Sequence, residues 1–265
     1  MAAAARIRFQ NRLVNRNIRR ERVFRERVNP LYVYISSELY DRFRFTDDGI
    51  IYLVNLLRYS LANVTFRSFA VPPLLKLFLA LRFLATGSFQ IVIGDTLGLS
   101  QPTVCRIVWN VIRGICRLAP RFIKYPTDVH TQNEIKRTFF AIGGIPGVTS
   151  LINCTHIRIM KPNRNEDAYV NRKQVHSINI QATMDCNYKY TSVVAKYPGS
   201  MHDHAILKET ALYENHENNT VQGVLLGDSG YQCSRWLWTP HRNPGQGTPE
   251  SRFNRYKMPI KILVF

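Results

Sequence analysis

Two aspartates stand where a chain can do hydrolytic chemistry. Asp228 lies in "VQGVLLGDSGY". Val224, Leu225 and Leu226 read as a buried strand, Gly227 permits a tight turn, and the acid falls at the strand's carboxyl end, where open α/β sheets gather ligands. Asp203 follows the Pro-Gly turn of "YPGSMHDHAIL" and opens a predicted helix. An acid there, taken alone, only offsets the helix dipole. Two such carboxylates brought together suit a hard divalent cation, Mg²⁺ or Mn²⁺, and such ions serve phosphoryl chemistry. A third feature is "INCTHIRI", which reads as two short β-branched pieces with a polar kink between them, holding Asn153 and His156. Cys154, His156, Cys186, His202, His204 and Cys233 are zinc-type donors, but their spacing follows no finger or knuckle pattern.

The elements that must position these residues change character along the chain. From Gly143 onward short β-branched runs appear: "VTSLI", "HIRIM", "HSINIQATM", "YTSVVAKY" and "VLLG". "HDHAILKETALYE" reads as a helix between the last two, so residues 143–265 are expected to form an α/β domain. Residues 31–118 read as all-α. Thr46 is placed to cap "DDGIIYLVNLLRY", and Pro72 and Pro73 open the apolar "LLKLFLALRFLA". Ser88 is expected to cap a short helix that Gly94 and Gly98 punctuate, and Ser100 to cap the next. On that next helix Val104, Ile107, Val108, Val111, Ile112 and Ile115 form a core stripe. Thr103, Arg106, Asn110, Arg113 and Arg117 line the other side. A short helix, a glycine turn and a helix with an Arg-lined face is a helix-turn-helix-like layout. Arg106, Asn110, Arg113 and Arg117 are therefore candidate DNA contacts; the bland alternative is a helical bundle with a basic outer face. Residues 119–142, with Pro120 and Pro126, read as a connector, and residues 1–30 as a basic arm.

Charge narrows the partners. The formal net charge is +18, and residues 1–30 hold nine Arg against two Glu. Such a surplus favours a polyanion, nucleic acid first and an anionic membrane surface second. No apolar run approaches the roughly 20 residues that span a bilayer, and "MAAAARIRFQ" lacks the apolar centre of a secretory signal. Five scattered cysteines without a CxxC pair argue for a reducing compartment, cytosol or nucleus.

Several stretches together carry a family signature: "FRERVNPLYVY", "LALRFLATGSFQIVIGDTLGLSQPTV", "LAPRFIKYPTD", "GIPGV", "INCTHIRI", "EDAYVNRKQVHSINIQA", "YPGSMHDHAIL" and "LLGDSGYQC". The chain resembles the Harbinger transposase-derived nucleases of the PIF/Harbinger DDE superfamily. The resemblance implies an RNase H-like DDE nuclease domain, preceded by the helix-turn-helix-like domain. It also implies a divalent-metal site of acids, DNA as substrate and a Myb-like DNA-binding partner protein; from the charge, the cysteines and the lack of a long apolar run, no membrane partner is expected, and the expected location is the nucleus and also the cytoplasm. Asp203 matches the acid of the family's Pro-Gly-Ser-x-x-Asp motif and Asp228 that of its Gly-Asp-Ser motif. The first acid belongs to an Asp-Cys-Thr-His motif, and Asn153 stands at its position. The family's last acid is a Glu on a later helix, and no Glu follows Glu250. A carboxyl-terminally incomplete site with weak metal binding and impaired hydrolysis is thus expected, because an amide supplies an oxygen but no charge. The alternative is a catalytically dead relic that binds DNA or a partner. In "EDAYVNRK", Arg172 and Lys173 are candidate phosphate contacts, whereas Glu166 and Asp167 read as members of a solvated, salt-bridged loop.

Overall fold

The computed structural model describes residues 27–65 and 69–262, with side chains described through Tyr256 at the carboxyl end. The basic arm expected over residues 1–30 lies, up to Glu26, outside the described residues. The chain divides into two compact units, Met1–Leu118 and Ala119–Phe265.

The first unit is helical among its described residues. After a 3₁₀ turn at Pro30–Tyr32 come α1 (Ser36–Phe43), α2 (Asp47–Leu61), α3 (Pro73–Thr86), α4 (Gln90–Leu97) and α5 (Gln101–Phe122), the last crossing into residues of the second unit. Thr46 caps α2, its hydroxyl accepting from Gly49 N at 3.4 Å. The cap expected of Ser88 does not form: Phe89 precedes α4 and contributes no side-chain cap. Gly98, at φ +62°, ends α4 in the left-handed region, which glycine enters without steric cost. The largely apolar α3 is central, with Leu75, Leu77, Phe78, Leu79, Ala80 and Leu81 buried. Val104, Ile107, Val108 and Val111 of α5 join the same core, and Ile112 and Ile115 pack partly buried against it.

The second unit is built on a five-stranded sheet in the order β3-β2-β1-β4-β5. The strands are β1 (Val148–Arg158), β2 (Ser177–Met184), β3 (Tyr190–Pro198), β4 (Val224–Leu226) and β5 (Leu237–Trp238). The first three form an antiparallel meander, and β4 and β5 add in parallel on the other side of β1. Six helices complete the described order, beginning with the tail of α5: then α6 (Val129–Gly143), α7 (Glu166–Tyr169), α8 (Asp203–Lys208), α9 (Ala211–Glu217) and α10 (Pro249–Ile262). The expected connector therefore contains a full helix, α6, capped by Asp128, whose Oδ1 accepts from Thr131 N at 2.7 Å. The helix expected between β3 and β4 is two short ones, α8 and α9, divided at Thr210, which caps the second.

Apolar clusters flank the sheet on both faces. Leu151 and Leu226 pack with Ile135 and Phe139 of α6 and with Phe253 of α10. Ile152, Leu225 and Leu237 pack with Leu207 of α8, Leu212 of α9, Tyr231 and Trp236. The polar kink expected in "INCTHIRI" is absent. β1 pairs with β2 residue for residue from Leu151 to Arg158 without a shift, so the stretch is one strand whose side chains alternate between faces.

Candidate active site

The parallel pair of β1 and β4 sets the frame. Leu151 lies opposite Leu226; Asn153 follows two residues farther along β1, and Asp228 two residues past the end of β4. Both therefore emerge at the carboxyl end of the parallel pair. Asp203 reaches the same place from the first turn of α8. Gly230 reports how close the acids come. A Cβ built there would lie 2.8 Å from Asp203 Oδ2 and 3.0 Å from Asp228 Oδ1, so the two oxygens are no farther apart than the sum of those distances. Asp228 Oδ1 also accepts from Gly230 N at 2.8 Å, which ties the acid to its own turn.

Asn153 is oriented differently. It pairs with Ala182, while Cys154 pairs with Gln181, and alternation along a strand puts these two pairs on opposite faces. Asn153 shares the face of Leu151. Its Oδ1 accepts from the following Cys154 N at 2.8 Å.

Asp203 sits on the other face, above a ladder of buried polar side chains. Asn179 Nδ2 donates to Asp203 Oδ1 at 2.9 Å and to the Met201 carbonyl at 3.0 Å. Gln181 Nε2 donates to the Asp203 carbonyl at 3.3 Å and to the Tyr231 hydroxyl at 3.2 Å. The Tyr231 hydroxyl in turn meets Cys154 Sγ at 3.2 Å. Burial foremost, with the charge of Asp203 adding, pushes the Cys154 thiol up to about 12. Burial likewise raises the Tyr231 phenol, with Cys154 and Asp203 adding to the shift. Both groups stay protonated at neutral pH.

The ladder belongs to β2. Ser177, Asn179, Gln181 and Thr183 are all buried, alternating with half-buried Ile178, Ile180, Ala182 and Met184. Asn179, Gln181 and Tyr231 do not stand out in the sequence as site residues. The signal was the strict polar alternation in "HSINIQATM", which normally marks a solvent face. Gly199 is fitted to the first rung. A side chain there would bring its Cβ to 2.3 Å from Ser177 Oγ and 2.7 Å from both the Ser177 and Tyr169 carbonyl oxygens. The Pro-Gly-Ser turn leading to Asp203 thus lies directly on β2.

Among the described residues, none of the ion pairs involves Asp203 or Asp228. Asn179 Oδ1 is a buried oxygen with no hydrogen-bond partner, next to Asp203. The two carboxylates are hard donors of the kind that suits a divalent cation. Among the described residues no three His, Cys, Asp or Glu side chains gather as a metal site, so the donor set stops short of the usual cluster of acids.

The remaining candidates lie elsewhere. Arg106, Asn110, Arg113 and Arg117 are exposed on α5. Arg106 Nε donates to the Pro102 carbonyl at 3.3 Å. Arg172 and Lys173 are exposed on a tight turn that Asn171 Oδ1 organises by accepting from Lys173 N and Val175 N. Glu166 binds Lys161 at 2.6 Å and His176 at 3.0 Å, in a local salt-bridge cluster. His156 Nδ1 lies 3.1 Å from Ser177 Oγ, a bond between neighbouring strands.

A sequence pattern for the DDE superfamily endonucleases matches residues 152–258, which includes Asn153, Asp203 and Asp228. The rat (Rattus norvegicus) protein named "Putative nuclease HARBI1" is 36% identical over 218 residues, 82% of this chain and 62% of that protein. The Xenopus laevis protein of the same name is 34% identical over 229 residues, 81% of this chain and 66% of that protein. "Protein ALP1-like" of Arabidopsis thaliana is 28% identical over 192 residues, 66% of this chain and 47% of its own length. This chain thus spans about three fifths of the rat relative's length. No solved structure matches.

Proposed function

Because the chain belongs to the Harbinger-derived group that carries a DDE superfamily endonuclease domain, we propose that it is a DNA-binding nuclease whose phosphodiester hydrolysis is impaired. The observation that carries this is the approach of Asp203 and Asp228 around Gly230, at the end of the parallel strands where such sheets hold ligands. The strand order, an antiparallel meander extended by two parallel strands, supports an RNase H-like fold. Family membership implies divalent metal use, and Mg²⁺ or Mn²⁺ suits these oxygen donors. Asp203 and Asp228 would hold it; bound, it would supply Lewis acidity toward a phosphodiester.

The chain's own residues do the rest. Asn179 and Gln181 fix the carboxylate and backbone of Asp203, and Gly230 leaves the space between the two acids open. Asn153 contributes no charge where the family has an acid, and this lowers the site's affinity for a dication. Arg106, Asn110, Arg113 and Arg117 on α5 hold DNA as the second helix of a helix-turn-helix-like domain within residues 31–118, and Arg172 and Lys173 add phosphate contacts beside the sheet. A Myb-like partner protein and a nuclear location complete the reading. The second reading, a DNA- or partner-binding relic without catalysis, is favoured by Asn153, an amide where the family has an acid.

Supercoiled plasmid with Mg²⁺ or Mn²⁺ tests the proposal. Nicking by this chain is expected to be slight, to rise with Asn153→Asp and to vanish with Asp228→Ala. Robust cleavage by the unaltered chain, abolished by Asp228→Ala, would sink the claim of impairment. Cleavage that persists without Asp203 and Asp228 would remove the site itself, and none even with Asn153→Asp would favour the relic.

A further inference from the structure

On α5 an indole stands among the arginines. Trp109 is 53% exposed, although tryptophan is a costly residue to leave in water. Helical periodicity explains why the core does not take it. Val104, Val108 and Val111 are buried on one side of α5, and Trp109 lies on the side shared with Arg106 and Arg113. The Arg113 guanidinium lies 5.9 Å from the centre of the indole ring, within cation–π range, and leaves much of the ring open. The helix itself carries no Asp or Glu. Between Asp95 and Asp128 the chain has no Asp or Glu, whereas Arg106, Arg113, Arg117, Arg121 and Lys124 all fall in that interval.

Arginines alone suit a phosphate backbone. A flat aromatic ring set among them suits something duplex DNA hides, the face of an unpaired base. Exposed aromatic rings in a cationic setting are how proteins hold single-stranded nucleic acid. We infer that α5 engages DNA at unpaired bases, with Trp109 stacking on a base while Arg106, Arg113 and Arg117 hold the flanking phosphates. The inference rests on the reading of α5 as a DNA-facing helix and adds the state of the DNA it selects. A stacked ring adds affinity for any base, because every base presents a π face, so the preference is for strand state rather than sequence.

The test uses the full chain and one mixed-sequence oligonucleotide, as a single strand in one arm and annealed to its complement in the other. Trp109→Leu is expected to weaken single-strand binding roughly tenfold and duplex binding less than twofold, while Trp109→Phe restores most of the loss. Binding of the single strand should also quench a tryptophan fluorescence component that the Trp109→Leu protein lacks. Because the ring is exposed, the melting temperature serves as a control and is expected to hold. Equal weakening of both arms, or none in either, overturns the inference if changing Arg106, Arg113 and Arg117 to Ala still lowers affinity. If that triple change also has no effect, the DNA-facing reading of α5 fails with it.

Discussion

Gly230 is the residue on which the geometry of the site turns. It has no need of an unusual backbone angle, so an alanine meets no backbone strain there. The added methyl would instead strike Asp203 Oδ2 and Asp228 Oδ1, the far ends of side chains that can swing away. Gly230→Ala is therefore expected to leave the melting temperature within a degree or two while weakening Mn²⁺ binding, read by calorimetry, roughly tenfold. A folded Gly230→Ala protein with unchanged Mn²⁺ affinity would show that the two acids do not share an ion. His216 gives a second residue-scale prediction. It is buried, stacks on Trp236 and meets the Tyr125 hydroxyl at 3.3 Å. Burial lowers its pKa to about 4. A folded-state pKa held below the unfolded value adds stability above pH 6.5 and loses it as pH falls toward 4. The full effect is roughly 3 kcal/mol. His216→Phe is expected to flatten the fall in melting temperature over that window, because Tyr125 keeps Thr149 as a partner. An unchanged pH profile would mean that His216 is not the titrating group.

At the scale of the element, β2 inverts the usual rule of a strand. Its polar residues Ser177, Asn179, Gln181 and Thr183 are buried, and Ile178, Ile180, Ala182 and Met184 are the more exposed set. Burying four polar side chains is tolerable only because they are bonded: Ser177 to His156 and Asn171, Asn179 to Asp203, Gln181 to Tyr231, and Thr183 to Thr191. This is why the sequence made the existence of β2 legible but not its function. The period of two was evident; which face turned inward depended on the partners Asp203 and Tyr231, which are distant in the chain. The same holds at "INCTHIRI", where cross-strand pairing with β2 straightens what local composition suggested was a kink. Asp203 and Asp228 were legible because glycine turns mark the ends of their strands. Their approach to one another was not, since it depends on α8 settling over Asn179. The ladder predicts that Gly199→Ala destabilises by about 1–3 kcal/mol, measured by urea unfolding. Ser177→Ala should not rescue it, because two of the three close atoms are backbone carbonyl oxygens. Full rescue would mean that only the hydroxyl crowds the site.

At the scale of the whole molecule, charge is the property the sequence states most directly. The +18 surplus needs no fold to be read, whereas its division between contacts does. Residues 1–30 carry nine Arg and two Glu, residues 31–118 nine basic and five acidic residues, and residues 119–265 eighteen and eleven. Basic excess is thus present in the arm and in both units. Each arginine seated on a phosphate releases a condensed counterion, so the logarithm of affinity falls linearly with the logarithm of salt, by about 0.9 for each phosphate neutralised on duplex DNA. Changing Arg106, Arg113 and Arg117 to Ala is expected to flatten that slope by roughly three, and changing Arg172 and Lys173 to Ala by roughly two. The slope left after both sets are removed reports the arm and the rest of the surface. Affinity measured across a salt series for the four proteins separates these contributions where a single dissociation constant cannot. If the α5 changes lower affinity without altering the slope, those arginines act by shaping the helix face and not by holding phosphate. If neither set alters the slope, the phosphate contacts lie outside α5 and the turn after Asn171, and the arm becomes the first place to look.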